Sequence, residues 1–200
     1  ATAKAGTPTG GLFLFPGPEG SLSAQPAIQY TYGGPTDMLG SDGLPGDIIG
    51  GSFTSDAGTF DDVIVGLPGE NAVRIIPPTI DTNGPIARTG IVEIINTRTV
   101  SVGILGHAMA LGDFDRDGDL DLIVGNYGTG DAYVLFGPIG TNGPPLRYSD
   151  TDNDFDMALL SGQDTGQAVR FGDISADGFS DLWLADPAAD VQCLTGLGIP

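Results

Sequence analysis

The apolar residues of this chain fall in short runs rather than in helical stripes. Leu122-Ile123-Val124-Gly125 and Leu182-Trp183-Leu184-Ala185 are such runs, and Val63–Val65, Val73–Ile76 and Val134–Phe136 are others. Bounded by Gly, Pro and Asp, runs of this length predict short buried β-strands. The pattern also repeats. Residues 106–112 (GHAMALG) recur as 166–172 (GQAVRFG), sixty positions later. A weaker earlier copy runs from Gly51 to Asp56 and resumes at Asp62-Val63-Ile64-Val65-Gly66. Leu14, Ile75 and Leu135 fall in one column, and Val191–Leu194 stands where the next strand is predicted. A fixed period of this size marks a repeat protein, each unit being one supersecondary module.

Between the repeated strands lies a repeated loop. Residues 113–121 read DFDRDGDLD and residues 173–181 read DISADGFSD. Side chains at positions 1, 3 and 5 converge when the backbone turns sharply, and Gly at position 6 permits that turn. Asp113, Asp115 and Asp117 precede Gly118; Asp173, Ser175 and Asp177 precede Gly178. Such an oxygen set suits a hard cation, and calcium accepts the irregular geometry better than magnesium does. An EF-hand is excluded, because position 12 is Val124 or Leu184 instead of Glu. The acidic group comes at position 9, as Asp121 and Asp181, with position 7 (Asp119, Phe179) offering a backbone carbonyl. The competing reading is an acidic solvated turn, since Asp and Gly are ordinary turn residues; two copies in register favour the ion.

Gly166–Asp173, the loops, Asp121–Gly125 and Tyr133–Gly137 together resemble the FG-GAP repeats of the integrin α-subunit β-propeller. The resemblance covers roughly residues 46–195. It implies an all-β fold of four-stranded antiparallel blades, with a cation in the turn between the first and second strands of a blade. The implied ligands are Asp113, Asp115, Asp117, Asp119 (carbonyl) and Asp121, then Asp173, Ser175, Asp177, Phe179 (carbonyl) and Asp181, giving two calcium sites. In the first unit Ser52, Thr54 and Asp56 occupy positions 1, 3 and 5, and the stretch to Asp62 is longer, so that site is expected to be vacant or weak. The expected organisation is an N-terminal arm (1–10), a partial blade (11–32), a blade with a degenerate loop (46–100), a second blade (103–160) and a third without its outer strand (165–200).

The count of blades does not close a ring, since propellers have about four to eight. Three explanations stand: a piece of a longer propeller, copies that complete a ring together, or copies joined head to tail through open sheet edges. Abundant Gly and Pro (33 and 15) with only 16% charged residues fit many short strands and tight turns. Acidic residues outnumber basic ones by 26 to 7, and Lys4 is the lone lysine. A net charge of −19 repels nucleic acid and anionic membranes, and no apolar run is long enough to span a bilayer. A start at Ala1 and loops suited to millimolar calcium lead to the expectation of an exported, extracellular or cell-surface protein. The expected partners are other copies, the rest of a larger propeller, or an extracellular protein or glycan. With His107 and Cys193 each the only one of its kind, nucleophilic triads and His-based zinc sites are excluded, and nothing marks an enzyme site. The acidic stretch Asp150–Asp156 lacks the loop glycine and reads as a solvated loop, with a third ion site as the alternative.

Overall fold

The computed structural model describes residues 11–14, 28–31, 46–55, 61–76, 92–96, 104–141, 146–148, 155–160, 165–185 and 192–194. Among them there is no α-helix; two short 3-10 turns, Pro68–Glu70 and Thr165–Gln167, are the only helical pieces. The first blade consists of β3 (Ile48–Gly51), β4 (Asp62–Leu67), β5 (Ala72–Ile76) and β6 (Val92–Asn96), all antiparallel. The second consists of β7 (Leu105–Gly112), β8 (Asp121–Asn126), β9 (Asp131–Leu135) and β11 (Met157–Leu160), again antiparallel. The third has β12 (Ala168–Gly172), β13 (Asp181–Ala185) and β14 (Gln192–Leu194). A hairpin of β1 (Gly11–Leu14) and β2 (Ile28–Thr31) forms a separate two-stranded ribbon. The chain is therefore all-β, an open array of blades rather than a closed barrel.

One strand leaves the order that the repeat predicts. β10 (Leu146–Tyr148) lies within the second unit, yet it pairs parallel to β6 of the first blade, with Leu146 opposite Ile94. The physical reason is the exposed edge that β6 would otherwise present, a row of unpaired amide groups ready to accept a strand. Leu146 also packs against the apolar cluster between the first two blades.

The core forms between blades, and the two-residue period of a strand sorts its side chains. On β8, Leu122 and Val124 join Ile64, Val73, Ile75 and Phe53 of the first blade. Ile123 points the other way, to Val169, Leu182 and Leu184 of the third. Tyr133 and Leu135 of β9 follow the first pattern, Ala132 and Val134 the second. Because both faces of the middle blade are covered, its strands read as continuous apolar runs rather than as alternating ones. Glycines let the blades approach. A Cβ on Gly66 would enter the Gly106 carbonyl oxygen, and one on Gly125 would enter that of Gly166. Met109 N–H donates to Asp47 Oδ2 at 3.1 Å, which ties the innermost strands of the first two blades.

Candidate metal centre

The two acidic loops close the same inner hairpin of successive blades. Gly112 stands opposite Asp121 and Gly172 opposite Asp181, so residues 113–120 and 173–180 are equivalent connections. Their backbones agree as well. Position 4 is left-handed in both (Arg116 at φ 73°, Ala176 at φ 58°), as is the glycine at position 6 (Gly118 at φ 95°, Gly178 at φ 91°). A Cβ at Gly118 or Gly178 would touch nothing within 4 Å, so the need for glycine there is conformational.

In the first loop, carboxylate oxygens of Asp113, Asp115 and Asp117 lie within 4.8 Å of one another. Internal hydrogen bonds hold them: Arg116 N–H donates to Asp113 Oδ1 (2.8 Å), Asp117 N–H to Asp115 Oδ1 (3.1 Å) and Asp119 N–H to Asp117 Oδ1 (2.9 Å). Loss of solvation raises the pKa of Asp115 above the ordinary 3.8, and repulsion from Asp117 and Asp113 adds to this. Three hard oxygens gathered at this separation, with like charges opposing one another, form a donor set that fits a divalent hard cation. Asp119 is exposed at the rim.

The second loop gathers less charge. Asp173 Oδ1 and Oδ2 accept the N–H groups of Asp177 (3.1 Å) and Gly178 (2.9 Å), and Asp177 Oδ1 accepts that of Phe179 (3.0 Å). Ser175 stands where the first loop has Asp115, and residues 173–179 are all exposed.

Position 9 has a distinct neighbourhood. Asp121 is fully buried, and its Oδ2 accepts the N–H groups of Phe114 (2.6 Å) and Asp115 (3.2 Å) while Oδ1 accepts that of Gly137 (3.1 Å). Desolvation nevertheless outweighs these bonds and raises its pKa. Asp181 holds Ile174 and Ser175 N–H in the same way, each at 2.8 Å. Asp62 repeats the arrangement in the first blade, accepting from Phe53 N–H (2.8 Å), Thr54 N–H (2.7 Å) and the Thr54 hydroxyl (2.9 Å). That loop has Ser52 and Thr54 in place of acids, so the clamp persists where the charge has gone. Spacing and the resemblance both place Asp121 and Asp181 among the ligands; the presence of Asp62 in a loop with Ser52 and Thr54 in place of acids is the sequence signal for their second role.

His107 meets Tyr127 in a tilted ring contact, centroids 5.9 Å apart, and lines a cavity of about 290 Å³ with Asp47, Gln167 and Arg170. Asp56 and Asp150–Asp154 lie outside the described residues, whereas Asp156 accepts the Phe136 N–H at 2.7 Å.

Strand pairing, inter-blade packing and the loop between the first two strands define a propeller-like blade protein. The FG-GAP repeat family model matches residues 105–135, which span β7, the 113–121 loop, β8 and β9. No curated protein matches the chain.

Proposed function

We propose that the chain is a non-enzymatic, calcium-stabilised propeller module of an extracellular or cell-surface protein, used for recognition of a protein or glycan. The observation that carries this reading is the convergence of Asp113, Asp115 and Asp117 inside the matched FG-GAP repeat. Asp113, Asp115 and Asp117 would hold the first ion, with Asp119 and Asp121 completing the expected set. Asp173, Ser175, Asp177, Phe179 and Asp181 would hold a second. The ion's part is structural: it offsets mutual repulsion of the carboxylates and fixes the hairpin joining two inner strands.

Asp117→Ala tests the ion. Its cost is expected to be about 1–3 kcal/mol in millimolar calcium and close to nothing in excess chelator, where the like-charge repulsion that it relieves offsets the lost hydrogen bond. Thermal melts under the two conditions provide the check, and equal destabilisation in both would sink the metal reading.

Acidity supplies a second check. In chelator, Asp115 and Asp121 hold protons more tightly in the folded chain than at the ordinary 3.8 of the unfolded one. Their contribution to stability therefore grows as pH falls through the raised folded values and levels off below 3.8. With calcium present the trend should reverse, because protons then compete with the ion. On acidification from neutral pH toward 3.8, urea midpoints should rise in chelator and fall in calcium. A fall in both would count against the reading.

A second reading is self-assembly into rings or filaments through sheet edges. The parallel addition of β10 to β6 supports it, since it is strand addition to a blade's outer edge within one chain. Particle mass in calcium distinguishes the two: multiples of 20.4 kDa favour assembly, a monomer with calcium-dependent capture by an immobilised glycan or matrix protein favours recognition.

A further inference from the structure

We infer that Arg116 acts as a counter-ion that the second blade lends to the loop of the third, and thereby sets the difference in cation affinity between the two loops. The affinity part of this inference rests on the calcium reading above.

Arg116 belongs to both loops at once. Its backbone N–H is bound to Asp113 of its own loop at 2.8 Å, and its left-handed φ of 73° is part of that turn. Its side chain crosses to the next blade, where Nη2 meets Asp177 Oδ2 at 2.8 Å. The guanidinium also lies 4.0 Å from the centre of the Phe179 ring, a cation–π contact. Asp177 thus has both oxygens engaged, Oδ1 by its own loop and Oδ2 by a cation from the neighbouring one.

The arrangement runs one way. Ala176 occupies position 4 of the second loop and has no side chain with which to reach further; Ser55 occupies that position in the first blade. Only the 173–181 loop therefore receives an arginine from the preceding blade among the described residues. That loop is also the one in which Ser175 replaces a carboxylate. A fixed positive charge on a ligand side chain holds the loop without metal, and it opposes a divalent ion that approaches the same oxygen. The 113–121 loop should consequently fill first and the 173–181 loop second.

Calorimetric titration of calcium into the chelator-stripped full chain tests this. The wild type should show a stronger and a weaker step, and Asp173→Asn should remove the weaker one. Arg116→Gln should tighten the weaker step about five- to ten-fold and leave the stronger one in place. The gain should fade at about 1 M salt, where screening acts over roughly 3 Å. Phe179→Leu, which removes the aromatic shelf but no charge, should tighten the same step about two-fold. A weaker step that is unchanged or weakened in both variants would overturn the affinity assignment.

The holding role has its own measurement, free of calcium. In excess chelator, amide exchange at Ile174, Ser175 and Phe179 should be several-fold faster in Arg116→Gln than in wild type. Unchanged exchange would overturn the staple. If the wild-type chain takes up no calcium at all, the cation reading fails, and the exchange experiment still decides whether Arg116 holds the loop.

Discussion

Gly125→Ala is expected to destabilise the chain by at least about 3 kcal/mol, a loss of roughly 6–12 °C in melting temperature for a domain of this size. The cause is space, not backbone conformation. Gly125 lies in β8, where the second blade meets the third, and a Cβ there would enter the carbonyl oxygen of Gly166 and crowd its Cα. Both obstacles are backbone, so no rotamer change relieves them; the blades must separate. Separation strips contact from Ile123, Val134, Val169, Leu182 and Leu184, which form the cluster between these blades. Gly66→Ala should behave likewise at the first interface, where the obstacle is the Gly106 carbonyl. Gly118→Ala provides the contrast. Its Cβ would meet nothing, and the expected cost is only the conformational one of a φ near 95°, about 1–2 kcal/mol. Denaturant unfolding of the three variants decides the matter: a Gly125→Ala protein as stable as Gly118→Ala would mean that the blades do not pack this closely.

Much of this architecture is legible in the residues because the same local problem is solved three times. The inner hairpins close at Gly51 opposite Asp62, Gly112 opposite Asp121 and Gly172 opposite Asp181, which are the repeat columns themselves. The apolar runs of β8 and β9 are continuous because the middle blade, covered on both faces, needs no polar alternation. What stays hidden depends on other parts of the chain. Leu146–Tyr148 has no pattern that distinguishes pairing within its own blade from pairing with β6; the available edge decides. The reach of Arg116 to Asp177 spans sixty-one positions, and a column containing Arg116 and Ala176 gives no direction to the side chain. Position 9 is the subtlest case. An acid at that spacing reads as a ligand, while the location of its oxygens depends on burial that only the folded hairpin creates.

That buried acid supports the second large effect. Asp121→Ala should cost about 4 kcal/mol or more even in chelator, and more in calcium, where a proposed ligand is lost as well. Its two oxygens receive three backbone N–H groups, from Phe114, Asp115 and Gly137, and the carboxylate itself is inaccessible to water. Truncation strands these donors in a site shaped for an acceptor, and each buried donor left unsatisfied costs about 1–3 kcal/mol. Asp121→Asn should cost less, because an amide oxygen can keep Phe114 and Asp115 while its nitrogen faces the Gly137 N–H. The order Ala worse than Asn, and a large loss that persists in chelator, separate this clamp from Asp117, whose effect should appear only in calcium. Asp62→Ala extends the test to a loop with Ser52 and Thr54 in place of carboxylates, where it should again lower stability in both conditions. If Asp121→Ala were harmful in calcium alone, the acid would owe its place to the ion, and the clamp would be a consequence of metal geometry rather than a separate device of the blade.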